Sequence, residues 1–252
     1  MAGPYHALQG ALGVILRHNP SGVSSMRRIV AGMGVVAAMG VAAACGDLGP
    51  GGEPVAGTVT VRVAQASQSV DTLAIDLDGI VVAGLAPGQV TRLGGVQRGA
   101  HVIKLIPPGS MGSGVARAFT ANDYDTLLVV ARDSASLIVP SILADTGAIV
   151  PAGKSKVRFI HAAALAPAID IWRTQPDWPT PVRVMFPFAY GAQSPYLQSD
   201  PGPWTTYVSP ADQTDTLYAH PAFTVADGKR ATVIIMDSSA AGGITAIVVN
   251  ED

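Results

Sequence analysis

Few side chains in this 252-residue chain are of a type that does chemistry: one thiol, Cys45, and five histidines among 18 carboxylates. His161 and Asp170 fall on successive strand-like runs, the arrangement of a general base and an orienting carboxylate. No serine or threonine stands at a spacing that would make it their nucleophile. Val61-Arg62-Val63-Ala64-Gln65-Ala66 echoes Val157-Arg158-Phe159-Ile160-His161-Ala162, so Gln65 occupies the place of His161. Glutamine cannot act as a base, and the pair reads as two side chains that hydrogen-bond a loop. His101, His161 and His220 lack paired i, i+4 spacing, so no metal site is expected, nor any cofactor. Asp76-Leu77-Asp78-Gly79 lacks the further oxygen ligands of a calcium loop. Gly109-Ser110-Met111-Gly112-Ser113-Gly114 lacks the Gly-Lys-Ser/Thr ending of a phosphate loop and reads as a plain connection.

Cys45 is different, because its surroundings are ordered. Met26-Arg27-Arg28 supplies a positive start, residues 29–41 an apolar run, and Ala42-Ala43-Ala44 the small residues a peptidase requires. The run is shorter than the ~20 residues of a spanning helix. A Gly/Pro-rich stretch, Gly46 to Pro54, follows at once and has nothing with which to pack. A signal ending in cysteine resembles the lipobox of bacterial lipoproteins, with Ala42 where Leu is usual. That resemblance implies that Cys45 is acylated, becomes the mature N-terminus and holds the protein on a membrane. Residues 1–25 then read as a mis-assigned start or leader, 26–44 as the signal peptide and 45–56 as the lipidated cysteine and its linker. Gly46 rather than Asp follows Cys45, which leaves the outer membrane or cell surface open as the address.

The formal charge of −2 becomes more negative without the first 44 residues, which carry Arg17, Arg27 and Arg28 but no carboxylate. Such a surface offers no reason to bind nucleic acid. With its one cysteine committed to lipid, the chain has no disulfide, and roughly 200 residues must be held by buried core alone.

An internal echo divides those residues. Ala74-Ile75-Asp76-Leu77 returns as Ala168-Ile169-Asp170-Ile171, and Ala118-Phe119-Thr120 as Ala222-Phe223-Thr224. Two domains of about 95 residues follow, 57–148 and 155–252, with extra loop in the second at 174–181. Within each, short β-branched runs alternate in polarity, as in Thr58-Val59-Thr60-Val61-Arg62-Val63, and Gly or Pro breaks them every ~8–12 residues. Asp78-Gly79 between two such runs predicts a type I′ hairpin. The fold class is all-β: two tandem antiparallel Ig-like β-sandwiches after a signal peptide and a short flexible linker.

Val157 to Ala162, then Ala166-Pro167-Ala168-Ile169-Asp170-Ile171, then Phe188-Ala189-Tyr190-Gly191 with Ser194 and Tyr196, resemble the bacterial domain of unknown function 4397. The first half is similar through Ala74 to Gly79 and Gly84-Leu85-Ala86-Pro87-Gly88. The resemblance implies a secreted or surface-attached β-sandwich and brings no activity with it. The second half is rich in aromatics, and Trp178, Tyr190, Tyr196 and Trp204 are the candidate binding residues, since flat rings offer contact area at low entropic cost. The expected function is a non-catalytic envelope lipoprotein that binds a glycan or an envelope protein. The alternatives are an envelope hydrolase around His161 and Asp170, or a structural spacer.

Overall fold

In the computed structural model the described residues are 57–122, 126–144, 149–166, 168–175, 178–240 and 242–251. They form strands and no helix. The first half contains β1 (Thr58–Gln65), β2 (Leu73–Leu77), β3 (Ile80–Leu85), β4 (Val90–Gln97), β5 (Gly99–Ile106), β6 (Val115–Ala121), β7 (Thr126–Ser134) and β8 (Leu137–Ala144). The second half contains β9 (Ser155–His161), β10 (Ala168–Gln175), β11 (Trp178–Ala189), β12 (Leu197–Ser199), β13 (Gly202–Pro210), β14 (Tyr218–Ala219), β15 (Phe223–Val225), β16 (Arg230–Asp237) and β17 (Ile244–Glu251).

Each half is a sandwich. In the first, an outer sheet β3-β2-β5-β6 covers an inner sheet β4-β1-β7-β8. In the second, β12-β9-β16-β17 is the inner sheet and β11-β10-β13-β14 the outer one, with β15 also paired to β13. Alternation explains the cores. Val59, Val61 and Val63 of β1 meet Ile75 and Ile103 inside the first sandwich, and Val157 and Phe159 of β9 meet Ile169 and Ile171 inside the second.

The intervening residues of the inner strands are apolar too. Ala64, Leu128 and Val130 join Ile160, Ile234 and Met236 in a third cluster, which packs the two inner sheets against each other. The described residues thus stack in four layers within one compact unit. Strands buried on both faces read as continuous apolar runs, as Leu127-Leu128-Val129-Val130-Ala131 does. Pairing is antiparallel except at the centre of each inner sheet, where β1 runs parallel to β7 and β9 parallel to β16. A hairpin forces antiparallel pairing only on neighbours in sequence, and these partners are separated by most of a sandwich. The extra loop expected at 174–181 instead lengthens the β10–β11 hairpin, because Gln175 pairs with Trp178.

Corresponding main-chain bonds recur in the halves. Gly88 donates to the Gln65 carbonyl (2.9 Å) and Gly191 to that of His161 (2.8 Å); Ala66 donates to Ala131 (2.8 Å) and Ala162 to Ile235 (2.7 Å).

The Asp78-Gly79 hairpin has the left-handed backbone its residues suit, with φ of 54° and 88°. Asp76 Oδ1 accepts from the Gly79 amide at 2.9 Å, so this recurring aspartate serves its own turn. Asp78 reaches across to β5, accepting from the Val102 amide (2.8 Å) and pairing with His101 Nδ1 (2.7 Å), while His101 Nε2 faces the Gln97 carbonyl (2.7 Å). A protonated ring donates both bonds. The hydrogen bond to Asp78 therefore raises the His101 pKa, and the same bond lowers that of Asp78. The raised group stabilises the fold fully below its unfolded value of 6.5, and that contribution fades as pH climbs through the folded value. The depressed group contributes above 3.8 and loses its contribution as pH falls through its folded value. Melting the native chain and Asp78→Asn across pH should therefore show the widest gap in midpoint between pH 3.8 and 6.5, narrowing on the alkaline side. Asparagine tolerates the same backbone. A gap that widens above pH 6.5 contradicts the assignment.

Candidate functional site

The outer face of the second outer sheet carries the most distinctive surface. On β10, Ile169 and Ile171 are fully buried, so Asp170 and Trp172 between and beyond them point away from the core. Trp172 is flanked by Arg183 of β11 on one side and Tyr207 of β13 on the other. Three strands thus place Arg183, Trp172 and Tyr207 in one cross-strand row, at the close spacing of directly opposed residues. Register breaks around Met185 bring Phe186 to the same row: the Arg183 guanidinium carbon lies 4.3 Å from its ring centre and 5.7 Å from that of Trp172. Phe186 is 57% exposed, while Trp172 and Tyr207 are half-buried.

This row is held from beneath. Arg183 Nη1 donates to Asp170 Oδ2 at 3.0 Å, and the Asp212 amide donates to the same oxygen at 3.0 Å. Trp172 Nε1 donates to Ser209 Oγ at 3.0 Å, and Ser209 donates on to the Gln213 carbonyl at 2.8 Å. Arg183 is also 3.7 Å from the exposed Asp212 carboxylate. Rings fixed by such bonds are preorganised, so a ligand laid on them has little ordering left to impose.

The four candidate aromatics have different fates. Trp178 is 44% exposed, at the start of β11. Trp204 is fully buried, a correction to its expected role: it shares the parity of Val208 in β13, which faces the core, and Arg173 lies between it and Trp178, 4.3 Å and 5.4 Å from the two rings. Tyr190 is half-buried. Its hydroxyl donates to the Asp133 carbonyl and its ring lies 5.2 Å from the Arg132 guanidinium, so it bridges the sandwiches. Tyr196 donates to Glu251 Oε2 at 2.5 Å beneath Arg158, again within the chain. Cys45 lies outside the described residues.

His161 and Asp170 form no dyad. Asp170 is turned outward to Arg183, whereas His161 points inward from β9 among Phe188 and Tyr190, with ring centres 6.1 Å and 5.9 Å away. Its Nδ1 accepts from the Ala163 amide at 3.3 Å, and burial lowers its pKa to about 4. The neutral ring is a core residue, which removes the arrangement on which the hydrolase alternative rested. A cleft of about 240 Å³ beside Leu165, Leu217 and Asp237 falls below the ~300–1,000 Å³ of ordinary ligand pockets. Asp237 there accepts from the Ala164 and Leu165 amides at 2.9 Å and 3.2 Å. Burial raises its pKa, against those two bonds.

Trp172, Arg183, Phe186 and Tyr207 were not among the candidates. The signal for Trp172 and Tyr207 is parity: Trp172 is out of phase with Ile169 and Ile171, and Tyr207 is out of phase with Trp204 and Val208.

Residues 59–172 match the family described as domain of unknown function DUF4397. The DUF4397 match takes in the whole first sandwich, β9, and β10 as far as Trp172. No curated protein matches the chain. Among solved structures, it is similar to a family-26 carbohydrate-binding module of Amy13K from Eubacterium rectale, in complex with maltoheptaose, at 9% identity and a TM-score of 0.25, over 77% of this chain and 97% of that one. It is also similar to a streptococcal virulence factor described for alpha-glucan binding, at 9% identity and a TM-score of 0.23, over 70% of this chain and 92% of that one.

Proposed function

We propose that this chain is an exported lipoprotein, held by an acylated Cys45, whose two DUF4397-like sandwiches form a non-catalytic module that binds glycan on the outer face of the second. The Arg183–Trp172–Tyr207 row with Phe186 carries the reading. Sugar rings present flat C–H faces that stack on aromatic rings, while their hydroxyls need charged or polar partners at the edge. Arg183 and Asp212 stand at that edge, and Asp170 keeps the guanidinium in place. The catalytic alternative lacks its dyad.

The test is binding of envelope polysaccharides and soluble oligosaccharides to the full chain by calorimetry or affinity electrophoresis. Phe186→Ala and Trp172→Ala should each weaken binding about tenfold, which corresponds to ~1.4 kcal/mol. Trp178→Ala should leave it unchanged. Phe186 is exposed, so its truncation spares the fold, and melting curves check the same for Trp172→Ala. Glycan retained equally by native, Phe186→Ala and Trp172→Ala proteins, or by none of them, overturns the proposal.

A further inference from the structure

The end of the four layers at which β1 begins carries three exposed apolar residues, Ile80, Ile149 and Trp178, while Met111, Leu137, Leu165 and Leu217 are exposed at turns of the opposite end. The Arg98 amide donates to the Gly57 carbonyl (3.0 Å), which places the β4–β5 turn beside the start of β1. The His101 bonds to Gln97 and Asp78 add the β2–β3 turn, and Ile80, paired with Leu77, stands directly after it. In the second half, Gly153 donates to Asp227 (2.7 Å), Gly228 to the Lys154 carbonyl (2.9 Å), and Lys156 Nζ to the Ile149 carbonyl (2.6 Å), so Ile149 and the β15–β16 turn gather at the start of β9. The Gln175–Trp178 pair, one step beyond Thr174–Thr205, sets Trp178 at the end of the outer sheet where β13 begins.

These two groups share one end. Tyr190 bonds to the Asp133 carbonyl and Gly191 lies against the Arg132 guanidinium, so the finish of β7 meets the finish of β11. Because β1 is parallel to β7 and β9 to β16, all four central strands start at the Gly57 end. There Ile80 is 69% exposed, Ile149 83% and Trp178 44%. Ile80 sits in the first outer layer and Trp178 in the second, about 30 Å apart at ~10 Å per layer, with Ile149 near the start of β9.

We infer that this end is the membrane-facing end, and that Ile80, Ile149 and Trp178 enter the headgroup region of the bilayer to which Cys45 is tethered. The inference rests on the acylated Cys45 of the preceding reading. Eleven residues, rich in Gly and Pro, separate Cys45 from Gly57; a tether of that length reaches on the order of 20 Å, so an acylated Cys45 would keep this end at the lipid surface. Tryptophan is the side chain best suited to that boundary, with an apolar body and a polar N–H. The glycan-binding face then lies along the side of the stack, clear of the lipid.

The chain has three tryptophans, and their positions make the test selective. Full-length protein extracted from its native membrane would be reconstituted in phosphatidylcholine vesicles whose acyl chains are brominated near the headgroup. Its N-terminus would be checked by mass spectrometry. Bromine should quench the native fluorescence, the quenching should vanish in Trp178→Phe and it should persist in Trp172→Phe. Ile80→Asp with Ile149→Asp, both at exposed positions that spare the fold, should reduce the quenching of Trp178. Acylated protein that floats with the vesicles yet shows no quenching, or is quenched through Trp172, overturns the orientation and leaves the anchor standing. Unacylated protein that fails to float overturns both.

Discussion

Replacing Glu251 by Ala should lower stability by about 3–5 kcal/mol, the cost of breaking a buried ion pair from one side. Glu251 is 2% and Arg158 4% exposed. Arg158 Nη2 donates to Glu251 Oε1 at 3.2 Å and its Nε to Thr232 Oγ1 at 2.7 Å; Thr232 donates to Glu251 Oε1, and Tyr196 to Oε2 at 2.5 Å. The Arg158 guanidinium also lies 4.9 Å from the Tyr196 ring centre. Removing the carboxylate takes one acceptor from two hydroxyls and the counter-charge from a cation already out of water. For a unit of this size each kcal/mol moves the melting midpoint by ~2–4 °C, so calorimetry should register a fall of about 10 °C. Glu251→Gln retains an acceptor and should fall between the two. A fall of less than about 2 °C in Glu251→Ala would show that the network adds nothing net.

Val130→Asp and Val129→Asp, adjacent on β7, should have unlike outcomes. Both valines are fully buried, but Val129 faces the core of the first sandwich and Val130 the cluster between the inner sheets. An unpaired charge in either place costs several kcal/mol. At Val129 it can escape only if the first sandwich unfolds. At Val130 it reaches water when the sandwiches part, with both of their own cores kept. Scanning calorimetry should therefore show one transition for the native chain, two for Val130→Asp, and loss of the first sandwich's transition in Val129→Asp. Matching thermograms for the two variants would contradict two-sided burial of the inner sheets.

Much of the site's framework is legible in the sequence. Alternation in Ala168-Ile169-Asp170-Ile171-Trp172 separates the face turned to the core from the outer face, and the same parity sets Tyr207 apart from Trp204. Aromatic type alone does not sort Trp172 from Trp204, because either ring satisfies a core or a surface. What separates them is which strand face meets the opposing sheet. Tyr190 and Tyr196 depend on contacts at greater range still, since their partners Asp133 and Glu251 lie 57 and 55 residues away in the chain.

The sequence by itself determines the strand-rich class, the alternation that builds each sandwich and the left-handed turn at Asp78-Gly79. These depend on backbone preferences and on polarity within a few residues. Only the tertiary structure decides that β1 lies parallel to β7, that a third apolar cluster joins the sandwiches, and that Arg183, Trp172 and Tyr207 come into one row. Each of those needs strands distant in sequence to settle register against one another, and the side chains on both faces of the inner strands are apolar enough to admit more than one partner.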